Sequence, residues 1–188
     1  MIRRMWCIIV LAVAAAVLPA SIAVGERAAG LTSDGALAVF DTSAPNVATV
    51  RPIGPLATPG EKLVGIDVRP ATGQLHGLST DGAVTRTYVI DPANGAATLV
   101  GSFNSPVLPT AARYGVDFNP VVDRIRVADS AGDNLRVNPT TGILAGTDVN
   151  LTFPPPSTGP LTSVAYDRNV VGATQTTSTR STVAPAAS

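Results

Sequence analysis

At 188 residues, with 13 basic and 13 acidic side chains, the chain is neutral overall, which excludes the basic excess that sequence-independent nucleic-acid binding needs to displace counterions. One cysteine excludes a disulfide framework within the chain, and one cysteine with one histidine excludes a clustered transition-metal site. The 17 glycines and 16 prolines recur too often for long helices to persist.

The chain opens with Arg3-Arg4, an apolar run over residues 5–18, Pro19 and the small-x-small triplet Ser21-Ile22-Ala23, the three-part grammar of a secretory signal peptide. The run is shorter than the roughly 20 apolar residues that cross a bilayer, so residues 1–23 are expected to be cleaved rather than to anchor the chain, after Ala23 or alternatively after Ala20. Cys7 reads as one more apolar residue of that run. Loss of Arg3 and Arg4 leaves 11 basic against 13 acidic residues, a balance of −2, and Lys62 is the only lysine. Polybasic membrane attachment is therefore not expected, nor is a membrane span after cleavage. Export to the periplasm or the extracellular space is.

Residues 24–30 read as a linker, and a repeat domain is expected over 31–167. Leu31-Thr32-Ser33-Asp34-Gly35-Ala36, running to Asp41, returns as Leu78-Ser79-Thr80-Asp81-Gly82-Ala83, running to Asp91, and again over residues 127–138. Gly65-Ile66-Asp67-Val68 is echoed by Gly115-Val116-Asp117-Phe118, a separation of 50 residues that belongs to repeat architectures. Four punctuation marks fall between the copies: Arg69-Pro70-Ala71-Thr72-Gly73, Asp91-Pro92-Ala93-Asn94-Gly95, Asn138-Pro139-Thr140-Thr141-Gly142 and the looser Asp41-Thr42-Ser43-Ala44-Pro45-Asn46. Asp or Asn accepts hydrogen bonds from the turn amides, proline presets φ, and glycine closes a short hairpin in the left-handed conformation.

Between the marks, apolar and polar residues alternate with the period of strands, as in Arg124-Ile125-Arg126-Val127. The expectation is an all-β chain with one unit of four strands over residues 63–69, 74–79, 85–91 and 97–102, and a second over 114–148. Four antiparallel strands in about 50 residues make the blade of a β-propeller. Residues 31–53 supply the outer pair of strands of an earlier blade, and residues 161–167 the inner strand of a later one. The array is thus an incomplete propeller, about two full blades with partial ones at each end.

The tail, residues 168–188, is rich in Thr, Ser and Ala and reads as disordered. A second reading stays open. Ser178-Thr179-Arg180-Ser181-Thr182 has a codon choice that, shifted by one base, spells Leu-Tyr-Ala-Ile-Asp, close to Tyr88-Val89-Ile90-Asp91, so the tail is either native or the out-of-frame end of a longer repeat gene. The genomic DNA distinguishes them.

With Leu63-Val64-Gly65-Ile66-Asp67-Val68-Arg69-Pro70, Tyr114-Gly115-Val116-Asp117-Phe118-Asn119-Pro120 and Asn134-Leu135-Arg136-Val137-Asn138-Pro139 as its signature segments, the chain resembles a group of secreted bacterial proteins, domain-of-unknown-function family 4394. The resemblance implies a propeller-like exported product, usually longer than this chain, and brings no catalytic residue with it. Past Tyr166 the sequence departs from the family pattern.

Chemistry is sparse. His76 is the only histidine, lies mid-strand beside Gly77 and has no nucleophile-elbow pattern near it, so a strand histidine with a local partner is expected rather than a catalytic base. Phosphate loops and dinucleotide fingerprints are absent, and no cofactor or metal is expected. Residues 129–134 carry oxygen ligands without the spacing of a calcium loop and read as a polar turn. Asn150-Leu151-Thr152 is a sequon only for a eukaryotic secretory host.

Asp67 and Asp117 hold equivalent places on successive inner strands, facing either a ligand in the central channel or backbone amides of the neighbouring blade. Arg124, Arg126 and Arg136 alternate onto one strand face, either solvated or binding an anionic glycan. The expected function is an exported, non-enzymatic binding or scaffold module for an extracellular glycan or protein. The alternatives are a carboxylate-dependent carbohydrate-active enzyme, hydrolase or lyase, and a non-functional truncated fragment.

Overall fold

The computed structural model describes residues 25–105, 108, 113–152 and 160–182, so the expected signal peptide lies outside the described residues. These residues form 13 strands and no helix. The first sheet has the order β1 (Arg27–Leu31), β2 (Leu37–Asp41), β3 (Thr49–Arg51). The second runs β4 (Leu63–Val68), β5 (Leu75–Thr80), β6 (Val84–Ile90), β7 (Ala97–Asn104). The third repeats it as β8 (Tyr114–Asn119), β9 (Arg124–Asp129), β10 (Asn134–Val137), β11 (Leu144–Thr147), and the fourth pairs β12 (Leu161–Tyr166) with β13 (Ser178–Thr182). Every sheet is an antiparallel meander, and the two complete units match the expected blades.

The hairpin marks work as their chemistry requires. In the turns after β6 and β10 the N–H groups of Gly95 and Gly142 donate to the carbonyls of Asp91 and Asn138 at 2.8 Å, with the two glycines at φ of 80° and 69°. Asp91 Oδ1 and Asn138 Oδ1 accept from the N–H groups of Ala93 and Thr140 at 2.8 and 2.9 Å.

Strand alternation gives each sheet two faces, and consecutive sheets stack face to face. Leu37 and Val39 of the first sheet bury against Leu75, Tyr88 and Ile90 of the second. On the other side of the second sheet, Leu78 meets Phe118, Ile125, Val127, Leu135 and Val137 of the third. Ala128 of the third then meets Leu161 and Val164 of the fourth. Full burial of each large aliphatic or aromatic side chain stabilises by about 1.5–3 kcal/mol, so the stacking of sheets, not any one sheet, holds the fold.

Three expectations need correction. Residues 24–30 are not a linker, because β1 occupies Arg27–Leu31 and pairs with β2 along its whole length. The first sheet consequently has three strands, not an outer pair. The tail is not wholly disordered, because Ser178–Thr182 forms β13, paired with β12 from Tyr166↔Ser178 to Leu161↔Thr182. Composition misled in both places: Ala-Ala-Gly carries little strand propensity and the threonines of Ser-Thr-Arg-Ser-Thr lie among serine and arginine in a polar tail, but an unpaired edge supplies backbone hydrogen bonds whatever the side chains are. Strand β13 takes the place that β5 and β9 hold in their sheets, and its first four residues are exposed.

Candidate functional site

The inner strands β4, β8 and β12 lie side by side at the sheet junctions, and glycine permits the approach. A Cβ on Gly65 would sit 2.6 Å from Val116 Cγ2, and one on Gly115 would sit 2.5 Å from the backbone nitrogen of Val164. Two residues further along, Asp67 and Asp117 reach across these junctions. Asp67 Oδ2 accepts from the Phe118 N–H at 2.7 Å, and Asp117 Oδ2 accepts from the Tyr166 N–H at 2.6 Å. The repeated aspartate therefore bonds the neighbouring blade's amide, as one of the two readings of the sequence has it.

The two carboxyls are close enough to influence each other's titration. Burial raises both above the ordinary carboxylate range, and the charge of Asp67 helps push Asp117 up to about 7. Each carboxylate already accepts a backbone N–H across a sheet junction, so one oxygen of Asp67 and one of Asp117 are committed to holding the sheets together.

His76, opposite Asp67 in the β4–β5 register, is buried edge-on against Phe118, with ring centroids 5.2 Å apart at 73°. Its expected polar partner is not there: among the described residues neither ring nitrogen has a hydrogen bond. Burial, aided by the charge of Arg69, lowers its pKa to about 4. Arg69 is paired through both ends of its guanidinium with Asp123, which ties the second sheet to the third and holds the Asp123 carboxyl below its usual range.

A pH experiment separates the two buried groups. Asp117, with its pKa raised, contributes stability that is full below about pH 4 and lost as pH rises through about 7; His76, with its pKa lowered, contributes stability that is full above about pH 6.5 and lost as pH falls toward 4. The two oppose each other over one window. Asp117→Asn, which keeps an oxygen for the Tyr166 N–H, is expected to lose more melting temperature than wild type on going from pH 7 to pH 4, and His76→Gln to lose more on going from pH 4 to pH 7. Parallel melting curves for all three proteins would remove both assignments.

Arg124 and Arg126 on β9 and Arg136 on β10 share the other face of the third sheet, with Arg126 directly opposite Arg136 and Asp117 directly opposite Arg126. Arg126 donates to the Tyr166 hydroxyl and to Asn134 Oδ1, lies 5.8 Å from the Tyr166 ring centroid, and pairs with Asp148 at 3.2 Å. Arg136 pairs with Asp148 at 2.8 Å but is 41% exposed. Arg124 donates to the carbonyls of Val122 and Asp123.

Two adjoining cavities open here and share Arg126, Asp148 and Tyr166. One, of about 220 Å³, is also lined by Arg124 and Arg136; the other, of about 460 Å³, by Asn134 and Arg180. Among the described residues the fourth sheet has two strands where the second and third have four, so it covers β8 and β9 and leaves the β10 side open. Sequence reading found the arginines by alternation. It missed Asn134, Asp148 and Tyr166, of which only Tyr166, at the inner-strand position after the repeated aspartate's slot, carried a positional signal.

Sequence reading also missed Glu61. Its carboxylate accepts from Ser79 Oγ, from the Tyr88 hydroxyl at 2.8 Å and from the Thr58 N–H at 2.9 Å, pinning the segment before β4 to the second sheet. Among the described residues no group of three or more His, Cys, Asp or Glu side chains is placed to hold a metal ion. Residues 129–134 close a turn in which Asp129 Oδ1 accepts from the Ala131 and Asp133 N–H groups.

The family described as Domain of unknown function (DUF4394) matches residues 36–180, a span that takes in the Asp67–Asp117 junction, the arginine face and most of β13, so the family pattern does not stop at Tyr166 as the sequence suggested. The chain belongs to this family. No curated protein matches the sequence of this DUF4394 member. Among solved structures, the β-propeller domain of Myceliophteria thermophila Cps50 (Swd1) is similar at 11% identity and a TM-score of 0.37, over 74% of this chain and 59% of that one. The DUF4394 chain thus spans less than two thirds of that neighbour's length.

Proposed function

We propose that the protein is an exported, β-propeller-type binding module that captures an anionic extracellular ligand, an acidic glycan, on the face formed by Arg124, Arg126 and Arg136. Export rests on the pattern of residues 1–23. The observation that carries the ligand class is the meeting of three guanidinium groups from adjacent strands at one cavity that contains a single carboxylate, Asp148. Arg126 is held by Tyr166, Asn134 and Asp148 and acts as the frame. Arg124 and Arg136 keep donors for a carboxylate or sulfate, and Tyr166 offers a ring against which a sugar can pack.

Titration calorimetry with polygalacturonate, heparin and neutral dextran tests this. Acidic glycans are expected to bind and dextran not to, with affinity falling as salt rises. Arg136→Gln is expected to weaken binding about tenfold, about 1.4 kcal/mol, while Lys62→Gln leaves it unchanged. Equal binding of dextran, or binding indifferent to Arg136, would reject the assignment.

A further inference from the structure

The internal junctions share a polarity. At each, the later sheet turns a broad apolar face toward the earlier one: Tyr88 and Ile90 onto the first sheet, Phe118 and Ile125 onto the second, Leu161 and Val164 onto the third. The earlier sheet answers with smaller or mixed residues on its inner strand, Gly65 and Asp67 at one junction and Gly115 and Asp117 at the next.

Among the described residues, the first and fourth sheets therefore present two unlike outer faces. At the leading end, the register of β1, β2 and β3 sets Ala28 opposite Phe40 and Ala38 opposite Val50 on the side of the first sheet away from the second. Phe40 and Val50 belong to none of the core clusters, and Val50 is 58% exposed. At the trailing end, the outer side of the fourth sheet carries Ser163, Ala165, Thr179 and Ser181, all exposed, with Ser163 opposite Ser181 and Ala165 opposite Thr179.

These ends match in a second respect. The place that holds Asp67 and Asp117 in the second and third sheets holds Ala165 in the fourth, so the trailing face has no buried carboxylate seeking an amide. Among the described residues the first sheet has three strands, which correspond to β5, β6 and β7, so its leading face presents no described inner strand to supply that amide. A trailing face without the acid fits a leading face without the donor.

We propose that the protein pairs head to tail with a second copy of itself, the leading face around Phe40 and Val50 of each copy seating on the trailing Ser163, Ala165, Thr179 and Ser181 face of the other. The contact continues the internal stacking between molecules. It is heterologous, and two copies meeting at both ends bring eight sheets together, within the four to eight blades of known propellers.

Sedimentation equilibrium of the wild type and of Phe40→Asp and Ser163→Arg tests the contact, with circular dichroism to confirm that each variant is folded. The wild type is expected to dimerise and each variant to be monomeric. Mixing the two variants restores association, because each retains the face that the other has lost. Should Phe40→Asp unfold, Val50→Lys, at a largely exposed position, replaces it. A monomeric wild type, or a dimer that survives Ser163→Arg, overturns the proposal, since a symmetric contact through Phe40 alone would ignore the trailing face.

Discussion

Phe118→Ala is expected to remove about 3–5 kcal/mol of folding stability. The ring is fully buried and belongs to the cluster that joins the second and third sheets, with Leu78 on one side and Ile125, Val127 and Val137 on the other. Its removal costs the transfer energy of the ring and leaves a cavity bounded by β-sheet backbone that cannot collapse without separating the sheets. A domain of this size is stable by about 5–15 kcal/mol, so the loss is a large share of the total. His76, which rests on the ring, is expected to regain water and a pKa closer to its ordinary value. Urea unfolding followed by circular dichroism measures the first effect and a histidine NMR titration the second. A loss below about 1 kcal/mol would show that the second and third sheets do not share a core through this residue.

Gly115→Ala is the second large effect, and it acts on one junction. The added methyl would lie 2.5 Å from the Val164 nitrogen and 2.9 Å from the Ser163 carbonyl carbon, both backbone atoms of β12. Neither can swing aside as a side chain can, so β12 must move away from β8, at a cost of about 1–3 kcal/mol or more. The Asp117 to Tyr166 hydrogen bond breaks in the same motion. Hydrogen exchange is expected to show β12 and β13 losing protection while β4, β5 and β6 keep theirs. Gly77→Ala is the contrast, because its methyl would meet only the ends of the Leu63 and Ile90 side chains, at 2.6 and 2.7 Å, and those can rotate. Equal exchange in β12 before and after the Gly115 change would mean that the inner strands are not packed glycine to backbone.

The two substitutions probe neighbouring links of one design. Phe118 fills the space between sheets, and Gly115 lets their inner strands approach closely enough for the repeated aspartate to span the gap. The aspartate has the same task at each junction where it occurs, and its raised pKa follows from the burial that the close approach imposes. The arginine face owes its exposure to the opposite circumstance. Among the described residues the fourth sheet pairs only β12 with β13, and Arg136 lies beside an open cavity.

The repeat, the four-stranded unit, the hairpins and the alternation that places Asp67 and Asp117, or Arg124, Arg126 and Arg136, on common faces are all legible along the chain. These are local properties: a turn needs its Asx, proline and glycine within five residues, and a strand shows its two faces with period two. What each face meets is set by the stacking of the sheets. That Asp117 answers the Tyr166 amide, that Asp148 joins Arg126 to Arg136, and that Glu61 anchors the segment before β4 depend on chain segments brought together by stacking. Strands β1 and β13 make the same point from the other side, since neither shows an alternating apolar pattern and the open edges of β2 and β12 make them strands all the same. Side-chain pattern is written along the chain, whereas the pairing of backbone edges and the choice of neighbour are settled by which surfaces remain to be buried once the sheets have formed.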